Sequence, residues 1–341
     1  MSSGKEIQRW ADSQQYVREP IPEENRRKIT VSLFNPPRNP LAHLVALNGI
    51  YKGEVIKSVN DPRITEESMR QALDDLLKTT LSGPLESIQF HFVIEGVTRS
   101  ITHQMVRSRL SFFAQESLRF AVPEGDWTEE VPLPPHLVGV VVTPEDLDPI
   151  NWDRLSEKQR QLITWDEAIE SVRNAYDYLV NSGMPAEEAR DLLPHAMPTR
   201  IHWVIDLRGL LLEAGKRTCT QAQFPWRVIF AEMAKELRKT FHNPSYLGEP
   251  GDAWQYQLLA DKIRPACYQA GKCTFMAQFD RSCSIRERVE QNAAHNRPSS
   301  EWHTPHEIHR PVGDNREMIH IGTIQPIQDW EWAADPGAAR I

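Results

Sequence analysis

The spacing of apolar and polar residues divides the chain into helical and extended stretches. Between Ile64 and Leu81, Met69, Leu73, Leu76 and Leu77 recur three and four apart, which predicts a helix with Thr65, Glu67 and Ser68 as its polar start. From Gln89 to Val97 the period shortens to two, with Phe90, Phe92 and Ile94 on one face, which predicts a strand. Ile29–Phe34 reads as a shorter strand, halted by Asn35-Pro36-Pro37. From Arg99 to Arg109 the period becomes helical, placing Ile101, Met105 and then Phe112 on one side. Leu155–Leu179 is an amphipathic helix ended at Asn181-Ser182-Gly183, and Ala186–Leu193 is a short helix stopped by Pro194. Arg200–Glu213 and Phe224–Arg238 read as the two most apolar helices, the second with Pro225 in its first turn, where proline is permitted.

Between these segments, residues 122–160 are rich in Pro, Asp and Glu, with one expected strand at Leu137–Thr143, and read as a lid or an insertion. Residues 1–28 form a polar arm. Helix returns in places over Ala253–Ala270, and beyond Ala293 the chain reads as an extended docking tail rich in His and Trp. No internal repeat is seen. Helix outweighs strand without regular βαβ alternation, so the expected class is α+β. Phe90, Phe92, Ile205 and Leu211 are read as core rather than as ligand contacts.

Composition adds a compartment and excludes some partners. The 341 residues are 40% hydrophobic and 25% charged, ordinary globular values. No apolar run is long enough to cross a bilayer and the first thirty residues have no apolar secretory core, so the expected location is the cytoplasm, with no membrane partner. Four cysteines do not make a disulfide framework. The formal charge of −8 argues against nucleic acid as a partner, since non-specific affinity comes from neutralising phosphates. Against that acidic background, Thr98 to Phe120 carries Arg99, Arg107, Arg109 and Arg119 against Glu116 alone, a local balance of 4 − 1 = +3.

That basic stretch holds the chemistry. On a helix running through Arg109, Gln104 and Arg107 share a face, while Arg107 and Arg109 point about 200° apart, toward two ligands. Ser117 with Arg119 suits a phosphate and a sugar, because a guanidinium grips phosphate bidentately and a hydroxyl adds a bond. The bland alternative is a solvated basic face.

Arg107-Ser108-Arg109, seven residues, then Ser117 resembles the Arg-His-Arg…Ser signature of the flavin-dependent thymidylate synthases, the ThyX family. Gln104, Arg119 and the upstream Gly83-Pro84-Leu85-Glu86 fit the same pattern. A second, collinear block resembles the family's later conserved region: Ala189-Arg190-Asp191-Leu192-Leu193-Pro194, Thr199, Asp206-Leu207-Arg208, Arg217 and Ala222-Gln223. The end, Asp329-Trp330-Glu331-Trp332 and Asp335 to Arg340, looks like actinobacterial and actinophage members.

The resemblance implies a ThyX-like fold, helix-rich with a central, mostly antiparallel sheet, assembled as a homotetramer. Residues 29–260 would be the catalytic domain and residues 261–341 an extension. It also implies methylation of dUMP at C5 to dTMP. NADPH would reduce FAD, and 5,10-methylenetetrahydrofolate would supply the carbon. Gln104, Arg107, Gln115, Glu116, Ser117, Arg119 and Arg190 would contact the nucleotide. Arg217 would hold the uracil and favour ionisation at N3, and Ser117 would be a substrate-positioning hydroxyl rather than a nucleophile. Gly83, Glu86, Arg107, Ser108, Arg109, Asp206 and Arg208 would lie against FAD.

Four positions depart from the family: Ser108 and Ser87 stand where it has histidines, Asp206 where it has Asn, and Leu212 where an Asn packs on the flavin. No cysteine has the Pro-Cys-His setting of a uracil-attacking nucleophile, and nothing in sequence supplies Cys219 with a base. Two alternatives stay open: a ThyX-like methylase acting on UMP, and a fold that has lost catalysis and binds metal through His303, His306 and His309 with Cys267, Cys273 and Cys283. No Cys-x-x-Cys occurs and Pro305 and Pro311 interrupt the histidines, so no metal is expected.

Overall fold

A computed structural model describes residues 28–121, 123, 125–143, 153–219, 222–242, 253–270, 309–312 and 317–320. The chain divides into two compact units. One comprises Met1–Lys28 with Ser117–Pro198, and the other comprises Ile29–Glu116 with Thr199–Ile341.

The larger unit is built on a four-stranded sheet. Its strands are β1 (Thr30–Leu33), β2 (Gln89–Thr98), β3 (Ser111–Gln115) and β4 (Pro198–Asp206), in the order β1-β2-β4-β3. β1 pairs antiparallel with β2 (Thr30 opposite Glu95) and β3 antiparallel with β4 (Ser111 opposite Ile205). Phe90, Phe92 and Ile94 on β2 and Ile201, Trp203 and Ile205 on β4 are at most 1% exposed, so both alternations face one core. Gly96, at φ 74, occupies a left-handed conformation that disfavours side chains; past it the alternation shifts and Val97 is also buried.

Helices cover this core: α1 (Pro40–Tyr51), α2 (Glu66–Lys78), α3 (Arg99–Met105), then, after the smaller unit's segment, α6 (Leu207–Arg217), α7 (Phe224–His242), α8 (Ala253–Asp261) and α9 (Ala266–Ala270). α2 starts as predicted, in a capping box in which the Thr65 side chain accepts from Ser68 N and the Ser68 side chain accepts from Thr65 N. α7 packs against β1 and α8. Trp203, Trp226 and Phe230 meet edge-on or tilted, with centroids 6.1–6.3 Å apart, and anchor α7 to β4. Far along the chain, β5 (His309–Val312) and β6 (Glu317–His320) pair as an antiparallel hairpin.

The smaller unit is organised by α4 (Glu157–Asn181), capped by Ser156 in a capping box with Gln159, and closed beyond Ser182 by Gly183 at φ 97. α5 (Ala186–Ala189) continues as a 3₁₀ turn over Arg190–Leu192 before Pro194. Trp127, Val131, Ile169 and Met197 form its core.

Several sequence expectations are corrected. Arg200–Glu213 is not one helix: β4 runs to Asp206 and α6 begins there. Ile201 and Ile205 fit a helical and an alternating period equally, but Thr199, Ile201, Trp203 and Ile205 are the buried set, which is period two, and β-branched residues favour the strand. The Arg99–Arg109 helix stops at Met105, so the two-faced helix argument for Arg107 and Arg109 falls; both lie in the turn leading to β3. Phe112 is on β3 and 65% exposed, not beside Ile101 and Met105. Leu137–Thr143 is turn and coil rather than strand. α1 and β3 are absent from the sequence reading. α1 has no polar face to mark it, and its start at Asn39 is left-handed without a side-chain cap. The polar arm, most of the docking tail, His303, His306, Cys273, Cys283 and the tryptophans at 330 and 332 lie outside the described residues.

Candidate active site

In the larger unit Trp226 and Glu213 bring Gln104, Arg217 and Ser108 together, with Arg107 and Arg109 on either side of Ser108 in the turn after α3. Arg217 closes α6. Its Nε lies 3.4 Å from Glu213 Oε2, one helical turn earlier, and its guanidinium carbon sits 4.2 Å from the centroid of Trp226. A carboxylate from behind and an aromatic face beneath fix the guanidinium plane. Only the Nε side is engaged, so the two terminal nitrogens remain available among the described residues.

Glu213 is buried and also receives Lys216 Nζ at 2.5 Å and the Ser108 hydroxyl. Burial acts to raise its carboxyl pKa; hydrogen bonds from Lys216 and Ser108, with the charges of Lys216 and Arg217, outweigh it and hold the group below its ordinary value. Glu213 is therefore an anion that holds Arg217 and meets Ser108, the residue standing at the family's histidine. Sequence reading missed Glu213 and Trp226. The four-residue spacing from Glu213 to Arg217 is a detectable signal, whereas Trp226 reads as one more apolar position on α7.

Gln104, near the end of α3, accepts from Trp226 Nε1 at 3.0 Å and donates through Nε2 to Gln223 Oε1 at 2.8 Å. Arg107 and Arg109 are exposed, and neither guanidinium has a partner among the described residues. Gln115 Nε2 donates to Thr102 Oγ1 at 2.9 Å. Glu116 is engaged structurally: its carboxylate pairs with Arg200 at 3.0 Å and its carbonyl accepts from Arg99 at 2.9 Å.

A second group lies on the same unit. Gly83 opens the 3₁₀ turn Gly83–Ser87, and Glu86 on that turn pairs with Arg208 Nη1 at 2.5 Å, 46–47% exposed on both sides. Asp206 caps α6 by accepting from Gly209 N at 2.7 Å. Burial, the first cause, lifts the Asp206 carboxyl pKa, with the Glu86 charge adding to it against the Gly209 and Arg208 contributions. Leu212 is 60% exposed.

Ser117, Arg119 and Arg190 belong to the smaller unit. Ser117 Oγ accepts from Arg119 N at 3.3 Å. Arg119 pairs with the Glu187 carboxylate at 2.8 Å, and Arg190 Nε donates to the Glu187 carbonyl at 3.1 Å. The Arg119 pair is about half exposed, so releasing the guanidinium to another anion costs about 0–1 kcal/mol. Among the described residues no group of three His, Cys, Asp or Glu is placed to hold a metal. No described helix is long and apolar enough to cross a membrane.

An antiparallel sheet roofed by helices, with one guanidinium clamped and two unengaged among the described residues, defines an α+β protein with a cluster of cationic side chains in its larger unit. The model of the family described as "Thymidylate synthase complementing protein" matches residues 42–242, and the chain belongs to that family. The flavin-dependent thymidylate synthase of Geobacter sulfurreducens is 31% identical over 176 residues, covering 52% of this chain and 68% of the relative. That of Pyrococcus furiosus is 29% identical over 251 residues, covering 72% and 89%. Among solved structures, Thymidylate Synthase X from Helicobacter pylori with FAD and dUMP has a TM-score of 0.46 at 14% identity, covering 69% of this chain and 99% of that one. The UMP/dUMP methylase PolB from Streptomyces cacaoi bound with 5-Br dUMP has a TM-score of 0.43 at 23% identity, covering 55% and 78%.

Proposed function

We propose that this enzyme, a flavin-dependent thymidylate synthase, holds the uracil of dUMP at Arg217 and methylates its C5. The observation that carries the reading is the Arg217 guanidinium, held by Glu213 and Trp226 with its terminal nitrogens unengaged among the described residues. A fixed cation at the uracil edge stabilises negative charge developing at N3 and its neighbouring carbonyls, which raises electron density at C5 for attack on a one-carbon donor. Preorganisation matters because a guanidinium already in place spends nothing on reorientation as charge develops. Within the larger unit, Gln104 and Gln115 are the amide side chains this reading gives to the nucleotide; within the smaller unit, Ser117, Arg119 and Arg190 carry hydroxyl and guanidinium chemistry suited to a sugar phosphate.

FAD fits the residues present. Arg107 and Arg109 have unengaged guanidinium groups for a pyrophosphate. Gly83 on its 3₁₀ turn, the exposed Glu86–Arg208 pair, Ser108 and Asp206 are the further residues this reading gives to FAD. When bound, FAD reduced by NADPH supplies hydride. The residues of this chain bind, orient and polarise, and no protein nucleophile is required. The donor of the carbon is 5,10-methylenetetrahydrofolate, and the reaction consumes it with dUMP, NADPH and a proton to give dTMP, tetrahydrofolate and NADP⁺. Assembly as a homotetramer of 39.2 kDa chains goes with this reading.

The test is direct. Protein loaded with FAD is incubated with NADPH, methylenetetrahydrofolate and either dUMP or UMP, and the nucleotide product is identified by mass. Conversion of dUMP to dTMP is expected. Methylation of UMP in preference reassigns the acceptor, and a flavin-loaded protein that methylates neither defeats the proposal.

A further inference from the structure

We propose that Trp226 is a positioning residue that locks Gln104 as a pure hydrogen-bond donor while presenting Arg217, so that one indole sets both groups facing the nucleotide. This rests on the reading of the site as the nucleotide-binding end of a thymidylate synthase.

The Trp226 N–H can only donate, so the Gln104 amide atom 3.0 Å from it must be the oxygen, which removes the usual ambiguity of an amide's orientation. One Gln104 N–H then goes to Gln223 Oε1 at 2.8 Å. The other has no partner among the described residues, so Gln104 offers a ligand a donor and keeps its acceptor turned away. A group fixed in this way reads a carbonyl or phosphate oxygen and rejects an amino group at the same place. The face of the same indole carries Arg217 at 4.2 Å.

The indole itself cannot drift. It is 1% exposed, packed against Trp203 and Phe230, and its backbone N–H donates to the Gln223 carbonyl at 3.1 Å in the first turn of α7. Two amides and a guanidinium that would otherwise each sample several rotamers are thereby referred to one buried ring.

The experiment compares FAD-loaded wild type with Trp226→Phe, which keeps an aromatic face for Arg217 and loses only the N–H, and with Gln223→Met, an exposed position whose loss costs the core nothing. The readouts are kcat and KM for dUMP, the dissociation constant of dUMP by calorimetry, and the melting temperature. Trp226→Phe is expected to weaken dUMP about tenfold, the scale of one buried hydrogen bond, with the flavin spectrum unchanged. Gln223→Met is expected to raise KM severalfold with kcat unchanged. In a Gln104→Met background, Trp226→Phe should add no further loss of affinity. Unaltered KM in Gln223→Met overturns the lock, even if Trp226→Phe fails to fold. Losses that multiply in the Gln104→Met background also overturn it, by showing that Trp226 does not act through Gln104. Wild type that binds dUMP but produces no dTMP removes the reaction while the affinity arms still decide the lock; wild type that binds no dUMP ends both.

Discussion

Single side chains decide this site through their neighbours. On the proposed reading, in which Arg217 is the cation at the uracil edge, Arg217→Ala is expected to lower kcat/KM for dUMP at least about a hundredfold with the flavin spectrum retained, as read by steady-state kinetics. Glu213 bears on stability as well. Its folded pKa is depressed, so its contribution is present above the ordinary carboxylate range and is lost as pH falls through the lower folded value. Melting curves across acid pH should therefore show wild type losing stability faster than Glu213→Gln over that interval; parallel curves refute the assignment. Asp206 has the opposite sign. Its folded pKa is raised, so its carboxyl contributes fully below the unfolded pKa and less as pH rises through the folded one. Asp206→Asn keeps the cap on α6 and should melt above wild type at neutral pH, with the gap closing in acid.

At the scale of elements, helix starts are chemical and local, so they can be read and tested separately. Thr65→Ala in the larger unit and Ser156→Ala in the smaller each remove a capping box and should cost about 1 kcal/mol in denaturant unfolding. A loss near zero would show that packing rather than capping sets those ends. The same locality explains which elements were legible. α2, α4 and α7 carry amphipathic period and terminal signals in a single stretch of chain. β4 does not: Ile201 and Ile205 satisfy a helical spacing, and only pairing with β3 and burial of Trp203 make the segment extended. α1 hid for the complementary reason, since a helix apolar on several sides has no period to detect.

For the molecule as a whole, the core of the larger unit is also the foundation of the site. Trp203 is fully buried between β4 and α7 and touches both Trp226 and Phe230. Trp203→Ala is expected to cost about 3–5 kcal/mol by calorimetry and to weaken dUMP as Trp226 loses its support. Affinity that survives intact in whatever fraction folds would separate the core from the site.

The order of the chain determined the chemistry available here: an arginine-rich signature, a second collinear block, and no placed nucleophile. Those are matters of residue type and spacing, which need no folding to be read. Which groups are spoken for is different. That Glu116 is consumed by Arg200, that Glu213 holds Arg217 beside Ser108, and that Trp226 orients Gln104 from 122 residues away all depend on contacts between distant segments. Tertiary structure alone decided them, because a hydrogen bond is set by distance in space, and separation along the chain carries no information about it.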